Sequence, residues 1–420
     1  MLGWKKVSKT DKVNMIFFLI IFLLYVLVTG FLFFHQAFYY DGESFADKYL
    51  NDMWAYISYM QGINEGYDYP YPIMFWIGKF FWLFFRPEIA MAITVTLLNA
   101  VSVLVLKYYF DKYMKQITKW NIKTAVGSTL LTLSSFLVSM LFLDLSERSL
   151  NWRYIGVFSP NPYHNATYLA TRPFSIVCFF MFVDILQIYD QDVKRDVLFK
   201  KYILFALCLL LTTMTKPSFV LGFIIMAALV LFYRTCRQRF GNIKQTLQLA
   251  ACTIPTFAAL LYQYKGIFLD VNSQGEETGI GFGWLTAWSV TNRSFREGMM
   301  FGLAFPVLVL LLNIKQLKEM LLYRMAWIYF TVNWLMVTCL YEKGFRLGHI
   351  NFAWGYMHAM FFIYLISMML LVKLTVLNKD RNSAFGLSRM SLALQWGVYA
   401  WHLVCGAVYF GSLLEGNGFL

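Results

Sequence analysis

Long apolar runs of near-bilayer length alternate with short polar stretches along the chain. The alternation predicts spans over 14–34, 88–110, 123–145, 170–189, 202–215, 218–233, 246–266, 297–314, 322–341, 354–375 and 390–412. Two stretches break this rhythm. Between the first two spans, Phe45, Tyr49, Met53, Ile57 and Met60 recur at helical spacing with Asp52, Tyr56 and Tyr59 beside them, which predicts an amphipathic helix lying in the membrane interface. After Tyr69-Pro70-Tyr71-Pro72, the apolar run 73–85 is too short to span and is closed by Arg86-Pro87, so it predicts a second interfacial helix. The other break is Thr215-Lys216-Pro217-Ser218 within 202–233. One helix over that stretch would be about 48 Å long, and each half alone about 20–24 Å, against a bilayer core of about 30 Å. The expectation is two short helices that turn at Lys216-Pro217 below the membrane surface, where an ammonium requires a wet cavity or an anion.

Composition supports the same class. A chain that is 59% hydrophobic, 19% aromatic and 14% charged has too little polar surface for a soluble domain. It reads as an all-α polytopic membrane protein, a single transmembrane domain over 1–420 with 35–87 as its first outer loop. The six cysteines lie in apolar runs or in a basic loop, so neither a disulfide framework nor a cysteine metal site is expected.

Charge gives the orientation. Of the 36 Lys and Arg, 24 fall in six short segments: the N-terminus, 107–123, 190–201, 233–244, 314–324 and 373–389. By the positive-inside rule these are cytoplasmic. Sorting the acids the same way gives about +16 inside and about −3 outside, which together make the net +13. The basic balance therefore reports orientation and not nucleic-acid binding. Eleven spans place the N-terminus in the cytoplasm and the C-terminus outside. No internal repeat is visible, which disfavours a transporter built from duplicated halves.

Candidate chemistry gathers on the outer side. The loop SERSLNWRYIGVFSPNPYHNATYLATRPF holds Trp152, His164, Asn165 and Arg172, and the loop YEKGFRLGHINFAWGYMH holds Glu342, Arg346, His349, Asn351, Trp354 and His358. Acids, imidazoles, cations and indoles together suit a sugar or phosphate site. Asp52 outranks Asp41, Asp47 and Asp68 because its helix holds it at the surface beside Tyr56. The ordinary readings are a turn hydrogen bond for His164, a lipid-headgroup contact for Arg172 ahead of Pro173, and an interface belt for the aromatic residues. Asn165-Ala-Thr167 matches a glycosylation pattern short enough to arise by chance.

On NDMWAYI around Asp52, NPYHNATYLATRPF around His164, TKPSF at Lys216, EKGFRLGHINFAWG around Arg346 and QWGVYAWHLVCGAVYF near the C-terminus, the chain resembles the GT-C class of membrane glycosyltransferases, and more closely the bacterial polysaccharide-locus proteins related to it. It departs from them in having Tyr56 where they look to carry a histidine. The resemblance implies an integral protein of the bacterial plasma membrane that transfers a sugar from a polyprenyl-phosphate-linked donor to an extracytoplasmic glycan or lipid-linked acceptor. Asp52 would be the general base and His164 its partner or a phosphate-orienting group. Lys216, Arg172 and Arg346 would bind the carrier phosphate. Trp152 or Trp354 would stack on a sugar, with Asp41, Tyr56, Asn165, His349 and Asn351 completing the substrate site. No cofactor or metal is expected. The rivals are a repeat-unit polymerase, and a lipid-carrier flippase or sugar transporter.

Overall fold

A computed structural model describes residues 8–38, 48–49, 51–63, 69–141, 157–191, 195–269, 278–291, 294–379 and 389–416. The expected Asp41 and Trp152 lie outside the described residues. The helices are α1 (Lys9–Phe38), α2 (Met53–Gln61), α3 (Ile73–Trp82), α4 (Pro87–Ile117), α5 (Ile122–Ser134), α6 (Ala166–Leu186), α7 (Arg195–Thr215), α8 (Ser218–Arg237), α9 (Ile243–Ala251), α10 (Ile254–Tyr264), α11 (Phe295–Leu312), α12 (Leu321–Cys339), α13 (Asn351–Lys379) and α14 (Arg389–Leu414). One small antiparallel ladder pairs β1 (Ile280–Phe282) with β2 (Leu340–Glu342), with Ile280 opposite Glu342.

Eight helices among the described residues are long and apolar enough to cross a membrane: α1, α4, α6, α7 from Val197, α8, α11, α13 and α14. The protein is an integral membrane protein of helical class. Three expected spans take other forms. The run 123–145 is helical only to Ser134 and then turns into extended chain through Leu141. That extended chain lies inside the bundle, and its polar backbone is satisfied there: Asn161 Nδ2 donates to the Ser135 and Val138 carbonyls at 3.0 and 2.8 Å, and Leu141 N donates to Phe301 O at 2.8 Å. Irregular backbone at membrane depth is tolerated only under such cover. Leu137 O would clash with a Cβ on Gly406 of α14, so only glycine lets the two backbones touch. The run 246–266 breaks at Cys252-Thr253 into α9 and α10, with Pro255 in the first turn of α10. The run 322–341 is α12, a 19-residue helix of spanning length whose Arg324, Asn333 and aromatic residues dilute its apolar character.

The Lys216 hairpin corrects the length argument. Its helices are not short: α7 has 21 residues and α8 has 20, because each extends into its basic flank. At 1.5 Å per residue each is about 30 Å, enough to span. Lys216 is nonetheless buried, 7% exposed, because other helices cover the turn.

At the centre, α13 is apolar on all sides and buried almost continuously from Ala353 to Val372, as expected of a helix with no solvent or lipid face. It stacks on α6 through Phe179 and Phe362, 4.3 Å between ring centres, and through Tyr168 and His358 at 4.1 Å. α4 packs on α1, α3 and α6, and α12 lies along α13. α1 turns Met15, Leu19, Leu23 and Leu27 outward, the surface a bilayer covers. Helices form over both stretches expected between the first two spans, but α2 starts at Met53: Tyr49 is in the left-handed region (φ 54°), which ends any helical stripe before it. Met53, Tyr56, Ile57 and Met60 form the buried face of α2.

Candidate functional site

Four chain segments meet at one end of the bundle: the start of α2, the 157–165 loop before α6, the α7–α8 turn and the start of α13. Asp52 stands at the N-cap of α2, where a carboxylate ordinarily accepts from the first-turn amides. It makes no such bond, and the cap is supplied by Asn51, whose Oδ1 accepts from Met53 N at 2.5 Å. The Asp52 carboxylate instead accepts from Asn165 Nδ2 at 2.6 Å and from the Tyr56 hydroxyl at 3.5 Å.

Asn165 is the hub. As N-cap of α6 its Oδ1 accepts from Tyr168 N at 2.9 Å, and also from Thr167 Oγ1 at 2.8 Å and Lys216 Nζ at 3.0 Å. Its Nδ2 serves Asp52 and the Tyr56 hydroxyl. The glycosylation reading of Asn165-Ala-Thr167 fails here, since both polar side chains are buried in this network. Lys216 Nζ also donates to Thr167 Oγ1 at 2.9 Å and lies 4.2 Å from the centre of the Trp354 ring. Its described partners are thus all neutral. One carboxylate and one ammonium share a single bridging amide without touching.

Electrostatics follow from this burial. It raises the Asp52 carboxyl above the ordinary value, and the Lys216 charge and the Asn165 and Tyr56 bonds partly offset it. It lowers the Lys216 ammonium to about 7, with Asp52 opposing. His164 is lowered to about 3, by burial and then by the Lys216 charge, so its imidazole is neutral near pH 7. The His164 ring lies 5.7 Å from Trp354, and its carbonyl accepts from Asp52 N at 3.5 Å.

Of the expected site residues, Asp52, Tyr56, His164, Asn165, Lys216 and Trp354 come together. Arg346 and Asn351 form a neighbouring group with Glu342, whose Oε2 accepts from Arg346 Nε at 3.1 Å and from Asn351 Nδ2 at 2.6 Å, while the guanidinium lies 5.8 Å from the Phe268 ring centre. Their charges are therefore largely matched internally. His349 adjoins them and packs on Phe345. The next residue, Ile350, is left-handed at φ 46°, a strained conformation for a β-branched residue at the entry to α13. Arg172 does not join either group. It lies inside α6, fully buried, with its guanidinium 5.2–5.3 Å from the Phe136, Tyr168 and Phe361 ring centres, beside the Tyr163 and Tyr168 side chains, and in no ion pair among the described residues. The expectation of a headgroup contact or carrier-phosphate ligand there meets an aromatic cage instead.

Sequence reasoning missed Thr167, Tyr69 and Tyr71. Tyr71 is close enough to both Asp52 and Arg346 for each charge to act on its phenol, and Tyr69 packs on Tyr56 at 5.2 Å and on Tyr71 at 5.8 Å, so these two tyrosines join the groups. The Tyr-Pro-Tyr-Pro stretch is the available signal, although in the sequence it serves only to mark where the run 73–85 begins. The chain matches no protein-family model, no curated protein and no solved structure among those compared.

Proposed function

We propose that the protein is a polyprenyl-phosphate-dependent glycosyltransferase of GT-C-like architecture in a bacterial plasma membrane. In this reading α5, the α9–α10 segment and α12 also cross the bilayer, giving eleven passes with the N-terminus in the cytoplasm and the Asp52 cluster extracytoplasmic. The observation that carries the reading is the Asp52–Asn165–Lys216 arrangement: a half-buried carboxylate and a buried ammonium at a bundle end, oriented by neutral groups and not neutralised by contact. A structural ion pair would close that gap.

The chemistry needs both charges. Asp52 takes the proton of the acceptor hydroxyl, whose oxygen forms the new bond to the anomeric carbon as the bond from that carbon to the carrier phosphate breaks. The raised carboxyl makes Asp52 a stronger base than a free aspartate. Lys216 holds the phosphate and stabilises the charge that develops on it. Tyr56 and Asn165 fix the carboxylate, and Trp354 offers a ring beside the cation.

Binding of polyprenyl monophosphate to the purified protein tests this. Lys216→Met should weaken it about tenfold or more, the loss of one charge-assisted contact, while Asp52→Asn should bind normally and lower sugar transfer by about 10². Unchanged binding by Lys216→Met removes the phosphate site from this cluster.

A further inference from the structure

A cavity of about 500 Å³ lies at the opposite end of the bundle, between the last turns of α8 and the first turns of α12. Its polar rim is Arg234, Arg237 and Arg324, and its floor includes Val230 and Met325, both buried. We propose that this groove binds an anionic phospholipid, with the headgroup phosphate between the three arginines and an acyl chain along the apolar wall.

Charge is the first argument. None of the three arginines is in an ion pair among the described residues. Among the described acids of this end, Asp184 is paired with Lys112 at 2.7 Å, Glu319 accepts from Gln316 Nε2 at 3.0 Å, and Asp190 accepts at 2.7 Å from Nε2 of Gln238, itself a lining residue, with none of them in an ion pair with the three arginines. Three guanidinium groups around one concavity, without an ion-pair partner among the described residues, form a site for a multivalent oxyanion, and the planar fork of arginine suits phosphate.

Position is the second argument. Arg234 and Arg237 occupy the last turn of α8, immediately after the apolar run ending at Phe232 and Tyr233, which are 68% and 63% exposed. That is the depth at which a spanning helix meets the headgroups. Arg234 is held in place: its Nη1 donates to Leu186 O and its guanidinium lies 5.2 Å from the Tyr189 ring centre.

The shape favours a lipid over free phosphate. The wall continues from the arginines along Leu229, an outward-facing residue on the bilayer side of α8, and along Ile328 of α12. Inorganic phosphate would leave that apolar wall uncovered, whereas an acyl chain covers it. The site is remote from Asp52, so it stands or falls independently of the glycosyltransferase reading.

The full-length protein in neutral detergent, titrated with phosphatidylglycerol, phosphatidylcholine or inorganic phosphate, gives the test by thermal unfolding and by native mass spectrometry. The expected result is one retained phosphatidylglycerol and a raised Tm, with no such effect from phosphatidylcholine or phosphate. Arg237→Gln with Arg324→Gln removes two cations that make no hydrogen bond within the described protein, and should weaken phosphatidylglycerol binding about tenfold or more with Tm in detergent alone unchanged. Lys200→Gln with Lys201→Gln removes the same charge from α7 and should leave that affinity intact. Equal stabilisation by phosphatidylcholine or by inorganic phosphate overturns the proposal. So does an equal loss in the Lys200/Lys201 variant, which would reduce the effect to general surface charge.

Discussion

Lys216 shows how one residue couples stability and binding. Its ammonium is lowered from 10.5 to about 7 by burial, so between these values the unfolded chain binds the proton that the folded protein has released. Stability therefore rises with pH across that window, and the cost of the buried charge is fully present below about 7. Lys216→Met should raise Tm more at pH 6 than at pH 10, and a gain independent of pH would mean the ammonium is hydrated. Binding runs the other way, because phosphate requires the cation. Polyprenyl monophosphate affinity should fall as pH rises above about 7, approaching about tenfold per unit if one proton is required. An affinity flat to pH 9 would take the protonated amine out of the site. Asp52 belongs to the same scale: a carboxylate at a helix N-cap that caps nothing and is held by Asn165 is placed for a task other than helix stability.

At the scale of elements, the cluster depends on how closely α13 approaches the α7–α8 turn. A Cβ on Gly355 would stand 2.8 Å from Ser218 O and 2.6 Å from Asn333 Oδ1, so glycine alone brings Trp354 onto Lys216. Gly355→Ala should cost about 1–3 kcal/mol by overpacking and weaken polyprenyl-phosphate binding as the turn moves away. Gly127→Ala in α5, where no described residue lies within 4 Å of the new methyl group, should cause neither change. Equal Tm and equal binding for both variants would show that the α13 contact does not set the site. The β1–β2 ladder plays a comparable part for the neighbouring group, since its pairing with Ile280 holds Glu342 where Arg346 and Asn351 reach it.

For the whole molecule, the test is orientation. In a background with the exposed Cys236 changed to Ser, Gly348→Cys lies at the Asp52 end and Lys244→Cys at the arginine-groove end, both at exposed positions. An impermeant maleimide applied to intact cells should label the first and not the second. The reverse pattern would place the cluster in the cytoplasm and end the case for an extracytoplasmic transfer. The same experiment locates the arginine groove on the cytoplasmic leaflet.

The apolar runs and their charged flanks determined the membrane class and helical content, because burying backbone in lipid leaves few alternatives to a helix and a run of about 20 apolar residues is a local property. Local periodicity also sufficed for the buried face of α2 and for α3 after Tyr-Pro-Tyr-Pro. It failed where a neighbour decided the outcome. The chain after Ser134 leaves the helix because Asn161, His402 and Phe301 accept or supply its backbone bonds, and all of these are distant in sequence. Sequence placed Asp52, His164 and Lys216 at one membrane face, yet the hub role of Asn165 and the part of Thr167 required the packing of four segments. Arg172 shows the limit most plainly: its place beside Pro173 suggested a helix start at the headgroups, and only the fold, by setting α6 against Phe136 and Phe361, made it a caged interior charge. Periodicity along one chain reports which face of an element is apolar, whereas a site is made of the partners that face meets.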